Sequence, residues 1–173
     1  WAALGGTTLV MYTAAVCQNT TASLGTGTPT TEAATALCEG TNIRKAYARF
    51  PNVGISRIDF RFRLSGSAGT VDWGGYWKTA ATSGSVVWQL RWGCVANDED
   101  PDPAYGAAVT ITDAALGSAG RLNNFGATGV TLTGCAADEE FFGQLFRDSD
   151  HGSDGLADNA DLESFYVTYR RVM

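Results

Sequence analysis

The sequence is poor in charged residues and has no long apolar run. Charged side chains make up 17% of the 173 residues, and 18 acidic residues outnumber 12 basic ones, which gives a formal net charge of −6. Because phosphate binding needs a basic surface, nucleic acid is not expected as the principal partner. No window approaches the roughly 18 consecutive apolar residues of a membrane span, so we expect no membrane partner.

The chain also lacks an opening signal segment of charged and then apolar residues. It starts at Trp1. Two explanations are open: a leader or pro-segment was removed, or the numbering omits the true start.

Groups for catalysis are scarce. His151 is the single histidine, and no Gly-x-Ser-x-Gly or His-Glu-x-x-His motif accompanies it. The adjacent Glu139 and Glu140 would point to opposite faces of a strand, whereas a glycosidase needs two carboxylates facing each other across a sugar. The acidic run at 98–102 is expected to be solvated surface. We therefore expect no enzymatic activity and no cofactor, with His151 in a solvated loop.

The cysteines are few, even in number and widely spaced. Cys17, Cys38, Cys94 and Cys135 allow three pairings, and none has the Cys-x-x-Cys spacing of a zinc site. We favour two disulfides, most simply Cys17 with Cys38 and Cys94 with Cys135, in a protein that meets an oxidising exterior. The alternative is four buried thiols that act as small hydrophobic side chains.

Alternation of apolar and polar residues predicts long β-strands. The clearest two runs have apolar residues at every second position: Ile58, Phe60, Phe62 and Leu64, and then Val86, Trp88, Leu90, Trp92 and Cys94. No helix is expected between them. We therefore predict that they are antiparallel neighbours in one sheet, which a second layer must cover.

The rest of the chain predicts further strands with almost no helix. Strands are expected at 43–50 (at an edge or interface), 107–113, 130–133, 139–147 (apolar on both faces and so central) and 162–170, with one or two helical turns at 32–38 and a loop at 116–125. About eight or nine strands predict an all-β fold, an antiparallel two-sheet β-sandwich of jelly-roll type. Residues 1–42 are predicted to form an extended N-terminal arm, and residues 43–173 the sandwich.

An aspartate-rich loop is a candidate calcium site. Gly152 and Gly155 relax its backbone, and five side chains offer carboxylate ligands: Asp148, Asp150, Asp154, Asp158 and Asp161. The match to an EF-hand loop is poor, because the third position from Asp150 is Gly152 and the twelfth is Asp161 where Glu is required. The same aspartates can accept backbone N–H bonds in tight turns, and we favour this turn chemistry.

A glycine-containing aromatic segment is a candidate sugar platform. Trp73, Tyr76 and Trp77 flank Gly74 and Gly75, and exposed rings on a jelly roll can stack against sugars. Tryptophans in an all-β domain mostly belong to the core, however, because each buries a large apolar area. We favour the core position, although Trp73 beside two glycines is hard to place.

The order of these strands resembles a group of small tailed-phage virion proteins. Three segments carry the likeness: Phe60-Arg61-Phe62-Arg63-Leu64, then Gly-Thr-Val-Asp-Trp ahead of Tyr76-Trp77, then Gly84-Ser85-Val86-Val87-Trp88. The segment 104–113 and the ending between Phe146 and Tyr169 are also similar. The likeness spans roughly residues 55–170, and the first forty residues and the cysteines depart from it.

The resemblance implies a β-sandwich protein on the outer surface of a virion. Two functions are compatible with it. We favour a non-enzymatic capsid decoration (cement) protein that stabilises the head through oligomeric contacts; by analogy it would be a trimer bound to the major capsid protein or other virion proteins. The alternative is a carbohydrate- or receptor-binding module of a tail fibre or spike, with Trp73, Tyr76 and Trp77 as the platform.

Overall fold

The computed structural model describes the backbone of residues 7–12, 22–23, 31–33, 35–39 and 45–172, and the side chains of residues 47–66 and 69–169. These ranges contain twelve strands and no helix. The strands are β1 (Thr7–Tyr12), β2 (Ala22–Ser23), β3 (Thr31–Ala33), β4 (Thr35–Glu39), β5 (Lys45–Phe50), β6 (Ile55–Arg63), β7 (Ser67–Lys78), β8 (Ser85–Val95), β9 (Val109–Ala114), β10 (Asn123–Thr131), β11 (Glu140–Asp148) and β12 (Ala160–Val172). The described part of the chain has no helix long and apolar enough to cross a membrane.

The strands form two packed sheets. The seven-stranded sheet has the order β10-β7-β12-β5-β4-β2, with β1 also paired to β12, and the five-stranded sheet has the order β3-β6-β11-β8-β9. The described pairings are antiparallel apart from the short parallel pair of β3 and β6. Both sheets contribute to one apolar core. The predicted all-β, two-sheet sandwich is therefore confirmed.

β6 and β8 lie in the same sheet but are not neighbours. β11 lies between them and is antiparallel to both, with Gly143 opposite Phe60 on one side and Trp92 on the other. β7, which separates β6 from β8 along the chain, belongs to the other sheet. The predicted pairing of β6 with β8 is wrong, because a strand that follows in sequence here crosses to the opposite layer. The predicted central position of residues 139–147 is correct, since β11 is paired on both edges.

Three local predictions are corrected. Residues 32–38 do not form helical turns but contribute to β3 and to β4, which pairs with β5 along its length; strand pairing outweighs the small helical preference of so short a segment. The predicted loop at 116–125 ends early, because β10 starts at Asn123 opposite Trp77. β5 lies between β12 and β4 and is therefore not an edge strand.

Strands on both sides of the predicted domain boundary share the same sheets. β1 pairs with β12, β3 with β6 and β4 with β5. The division of the chain into residues 1–42 and 43–173 stays a prediction.

Aromatic side chains join the two layers. Trp88 of β8 stacks on Phe125 of β10 with ring centroids 5.0 Å apart, and meets Phe50 of β5 edge-on at 5.0 Å. Trp73 and Trp77 of β7 are fully buried beside them. Each such ring pair contributes about 0.5–1.5 kcal/mol beyond the burial of its area, so this cluster is a main source of the packing energy between the sheets.

Gly74 and Gly75 allow three strands to approach closely. A Cβ on Gly75 would collide with the carbonyl oxygen of Ser164 in β12, and a Cβ on Gly74 would collide with that of Phe125 in β10. β7 lies between these two strands. The glycines next to Trp73 are therefore required by the packing of the sheet backbone.

Candidate functional site

The exterior of the five-stranded sheet carries a row of polar side chains. Side chains alternate along a strand, so the faces of β6, β8 and β11 that do not meet the core face outward. The cross-strand register places Asp59 of β6, Gln144 of β11 and Arg91 of β8 opposite one another. Three adjacent strands thus bring a carboxylate, an amide and a guanidinium together, and we call this set the outer row.

Hydrogen bonds hold the outer row in one geometry. Gln144 donates from Nε2 to Asp59 Oδ1 at 2.6 Å and accepts from Arg91 Nε at Oε1 at 2.8 Å. The second carboxylate oxygen of Asp59 lies 3.3 Å from Arg57 Nε. Gln144 is only 2% exposed, an uncommon degree of burial for a glutamine. Because its amide is bonded at both ends, Gln144 fixes the positions of Asp59 and Arg91.

Two aromatic rings pack on the guanidinium of Arg91. Its Cζ lies 5.0 Å from the ring centroid of Tyr105 and 5.2 Å from that of Phe146. Contacts of this kind contribute about 0.5–1 kcal/mol each at partly exposed sites. Within the described part of the chain, nothing accepts a hydrogen bond from the two terminal nitrogens of Arg91. They are therefore available to a ligand.

The loop between β8 and β9 brings Tyr105 to this site. Gly106 N donates to Trp92 O at 2.9 Å, and a Cβ on Gly93 would come within 3.0 Å of Pro103. The loop therefore packs directly on the exterior of β8. It leaves Tyr105 37% exposed, so the ring is anchored on Arg91 and still open to solvent.

The electrostatic surroundings keep the Tyr105 phenol protonated. Burial raises its pKa, the carboxylates of Asp59 and Asp102 raise it further, and the guanidinium groups of Arg91 and Arg57 lower it. A tyrosine whose pKa lies above the ordinary value of about 10 is neutral at physiological pH. The phenol can therefore both donate and accept a hydrogen bond beside the outer row.

The predicted platform of Trp73, Tyr76 and Trp77 does not form. Trp73 and Trp77 are fully buried, and Trp77 Nε1 donates to Asp113 Oδ2 at 2.6 Å. Burial raises the pKa of Asp113, although the bond from Trp77 lowers it. Alternation along β7 leaves Tyr76 45% exposed on the other sheet. Two of the three rings thus belong to the core, the position that the sequence favoured for tryptophans.

A buried ion pair organises the aspartate-rich loop. Asp154 accepts from Arg147 Nε and Nη2, both at 2.9 Å, and from the backbone N–H groups of Val87 and Leu156. Arg147 is fully buried. It also donates to four carbonyl oxygens, those of Phe50, Pro51, Leu156 and Asp158. Both carboxylate oxygens of Asp154 are thus used by this guanidinium and by backbone N–H groups.

The other four aspartates of that loop do not converge. Asp161 accepts two hydrogen bonds from Arg49, at 2.8 and 2.9 Å, and this bonding raises the pKa of Arg49. Asp148 accepts from Asp150 N, and Asp158 accepts from the backbone of the next residue, in tight turns. Among the residues described here, no group of three or more His, Cys, Asp or Glu side chains could hold a metal ion.

Two of the groups considered for catalysis, His151 and Glu139, accept backbone hydrogen bonds in turns. His151 Nδ1 accepts from Ser153 N at 3.1 Å. Glu139 Oε2 accepts from Ala136 N at 2.7 Å, while Glu140 lies opposite Arg63 on β6. The bonds of His151 and Glu139 stabilise local backbone conformation.

Cys94 and Cys135 form a disulfide. It ties the end of β8 to the segment that follows β10, 41 residues further along the chain. A crosslink over a loop of this length constrains the unfolded chain by about 4 kcal/mol at 25 °C. Cys17 lies outside the described residues and only the backbone of Cys38 is described, so the Cys17–Cys38 bridge stays a prediction.

A depression of about 380 Å³ lies near the end of β7. Its lining consists of Lys78, Thr79, Ala80, Ala119, Gly120 and Asp161. Lys78 lies 3.1 Å from Glu163, and Asp161 is bound by Arg49. Both charged groups of the lining are already paired, so this depression offers a ligand less than the outer row does.

Sequence reasoning missed the outer row. Alternation placed Asp59 and Arg91 on solvent-facing sides of their strands, but it gave no register between those strands. The available signal was Gln144 between Phe142 and Phe146, because aromatic residues on the outward side of a strand indicate that this face is partly covered. Tyr105 lies in a loop, and no local pattern connects it to β8.

Comparisons with known proteins found little. No protein-family model matches the chain, and no curated protein matches it. Two solved β-rich structures are similar. The crystal structure of the bacteriophage CBA120 tailspike protein 4 enzymatically active domain gives 11% identity and a TM-score of 0.44 over 92% of this chain and 19% of that one. The structure of TmCBM61 in complex with beta-1,4-galactotriose gives 11% identity and a TM-score of 0.33 over 71% and 70%.

The chain therefore spans about a fifth of the tailspike chain that it matches, by the 19% coverage. Likenesses this distant carry no functional argument. A proposal about function has to rest on the outer row itself.

Proposed function

We propose that the protein is a non-catalytic carbohydrate- or receptor-binding module of a phage virion, and that it binds a glycan on the exterior of the five-stranded sheet. The observation that carries the proposal is the outer row with Tyr105 packed on Arg91. This reverses the order of preference derived from the sequence, in which a capsid decoration protein came first.

The chemistry of the row matches that of a sugar. A pyranose presents hydroxyl groups around its rim and C–H groups on its faces, so it needs planar hydrogen-bonding side chains next to an aromatic ring. Arg91 supplies donors, the remaining lone pairs of the Asp59 carboxylate supply acceptors, and the partly exposed Tyr105 supplies ring surface together with a hydroxyl. A small number of fixed polar groups beside aromatic surface is the usual composition of a binding site.

The row is also organised before any ligand binds. Gln144 is buried and bonded at both ends, and Arg91 is held by two rings and one hydrogen bond. Immobilising a flexible side chain on binding costs about 0.5–1.5 kcal/mol. In this row the side chains are already ordered in the folded protein, so binding does not have to immobilise them, which favours affinity for the ligand.

The virion setting rests on the sequence resemblance of residues 55–170. A binding module needs access to the host, so we place the protein on the outer surface of the particle. Contacts with the major capsid protein and a trimeric state were derived from the same resemblance by analogy, and they stay predictions.

A glycan array of bacterial surface polysaccharides, probed with the full chain, tests the proposal. We expect at least one positive glycan, and we expect Tyr105→Ala to bind it about tenfold more weakly, since an aromatic contact contributes about 0.5–1.5 kcal/mol and a hydroxyl is lost with it. Tyr76→Ala is the matched control: this exposed tyrosine lies on the other sheet, and its loss should leave binding unchanged.

Two results would overturn the proposal. Absence of binding to every glycan on the array and to host cells would remove the function. Loss of binding in Tyr76→Ala with full binding in Tyr105→Ala would move the site to the exterior of the seven-stranded sheet, around the exposed member of the candidate sugar platform.

A further inference from the structure

We infer that the glycan bound at the outer row is acidic, a polymer that carries carboxylate groups, and that Arg91 is the residue that recognises a carboxylate. The inference rests on the proposed function and names the class of its ligand. It follows from the arginines on this face, their partners and their spacing.

Arg91 has the geometry for carboxylate recognition. Its Nε is used by Gln144, and two rings hold its guanidinium plane. The two terminal nitrogens have no acceptor among the described residues. A planar guanidinium with free terminal N–H groups binds a carboxylate through paired, charge-assisted hydrogen bonds. A neutral sugar hydroxyl would use the same donors but would leave the positive charge without a counter-charge.

Arginines are concentrated on this face. Four of the 12 basic residues of the chain lie on its outward positions: Arg57, Arg61, Arg63 and Arg91. The chain as a whole has a formal net charge of −6. Three acidic residues, Asp59, Glu140 and Asp148, share these outward positions, so the face carries a small positive excess on a chain that is acidic as a whole.

The acidic residues nearby balance only part of this charge. Both carboxylate oxygens of Asp59 are engaged, by Gln144 and Arg57. Arg63 lies opposite Glu140, and its Nη2 is 3.7 Å from Asp138. These contacts leave Arg61 and Arg91 without a carboxylate partner in the part of the chain that is described.

The separation of the two unbalanced arginines favours a polymer. Arg61 lies on β6 and Arg91 on β8, with β11 between the two strands, and their rows are two residues apart. Two strand spacings and two residues of rise place their backbones roughly 12 Å apart. A chain of acidic sugars that runs across the strands can present a separate carboxylate to each arginine.

Three uronic-acid polymers test the inference: alginate, polygalacturonate and hyaluronan, each beside its carboxyl-reduced form. Reduction replaces the carboxylate by a primary alcohol and leaves the sugar chain intact. We expect at least one acidic form to bind about tenfold or more tightly than its reduced form. Binding should weaken when NaCl is raised from about 0.1 M to about 1 M, since the Debye length falls from about 10 Å to about 3 Å.

Variants of single arginines locate the effect. We expect Arg91→Gln to bind the acidic form about 10- to 100-fold more weakly and to lose much less affinity for the reduced form, which loses hydrogen bonds but no ion pair. Arg91→Lys should recover part of the loss because it keeps the charge without the planar fork. Arg121→Gln removes the same charge from an exposed residue of the loop before β10 and should have no effect. Unchanged thermal unfolding would show that the variants fold.

The outcomes separate this inference from the proposed function. Equal affinity for acidic and reduced forms, or binding only to neutral polysaccharides, would overturn the acidic ligand while glycan binding stands. Equal losses in Arg91→Gln and Arg121→Gln would also overturn it, because they would indicate a general charge effect. Failure to bind any polysaccharide would remove both proposals.

Discussion

The buried pair of Arg147 and Asp154 determines how the loop between β11 and β12 is held, and Asp154→Asn tests its contribution. The asparagine has nearly the same volume as the aspartate. It replaces one carboxylate oxygen by an NH₂ group that cannot accept a hydrogen bond. The substitution therefore removes the negative charge and part of the hydrogen bonding while leaving the packing in place.

The magnitude follows from the contacts. Each carboxylate oxygen of Asp154 accepts one bond from Arg147 and one from a backbone N–H, of Val87 or Leu156. In either orientation of the asparagine amide, two of these four donors face an NH₂ group. The fully buried Arg147 is then left without a counter-charge. Breaking a buried pair in this way costs about 3–5 kcal/mol, a large part of the 5–15 kcal/mol of a typical domain.

Urea unfolding followed by tryptophan fluorescence measures this cost. We expect the free energy of unfolding of Asp154→Asn to fall by about 3–5 kcal/mol at an unchanged m-value. Asp150 is an exposed aspartate of the same loop, and Asp150→Asn should change the free energy of unfolding by less than about 0.5 kcal/mol. The double variant Arg147→Met with Asp154→Leu should lose less than the sum of its single changes, because it leaves no unpaired charge.

The reasoning would be refuted by a loss below about 1 kcal/mol in Asp154→Asn, since a desolvated guanidinium without a partner cannot be so well tolerated. Additive losses in the double variant would refute it as well. Either result would mean that water or another group satisfies Arg147.

Three further predictions concern stability. Removing the crosslink by Cys94→Ser with Cys135→Ser should lower the free energy of unfolding by about 2–4 kcal/mol, measured in urea beside the reduced and oxidised native chain. Gly75→Ala should lower the free energy of unfolding by about 1–3 kcal/mol, because its Cβ would clash with the neighbouring strand. Gly152→Ala is the control: a Cβ there meets nothing within 4 Å, so the free energy of unfolding should change by less than about 0.5 kcal/mol. Because burial raises the pKa of Asp113, the protonated carboxyl stabilises the folded state fully below the ordinary pKa of about 4, and this stabilisation is lost as pH rises through the raised pKa. Asp113→Asn should abolish this component of the dependence of stability on pH. A carboxyl NMR titration that shows an ordinary or lowered pKa for Asp113 would contradict the prediction.

Alternation along the chain predicted which residues of β6 and β8 face the core. Phe60, Trp88 and Leu90 are buried as the period of two requires. The same period indicated that β11 is central, because its residues are apolar at successive positions and not at alternate ones. These predictions needed no tertiary information, since they depend only on the local repeat of the strand.

The register between strands could not be predicted in this way. β11 follows β8 by more than forty residues in the chain, yet it lies between β6 and β8. Only that insertion brings Gln144 between Asp59 and Arg91. Alternation placed Asp59 and Arg91 on solvent-facing sides of their strands but treated both faces of the Gln144 strand as apolar, and the convergence of the three side chains depended on pairings with no local signal.

The aromatic and aspartate candidates show the same limit. The sequence is compatible with Trp73 and Trp77 in a sugar platform or in the core. The packing of both sheets around the two side chains buries them in the core. The aspartates of the loop at 148–161 were compatible with calcium or with turns. Arg147 lies at the end of β11, and only the folded chain places it against Asp154.

The amino-acid pattern by itself determined that this protein is an all-β sandwich with few groups for chemistry, because period-two alternation and composition are properties of each segment alone. The tertiary structure decided which outward-facing side chains meet, which aspartate is neutralised by an arginine and which tyrosine lies on Arg91. These outcomes depend on strand order and loop packing, which are set by contacts between residues far apart in the chain.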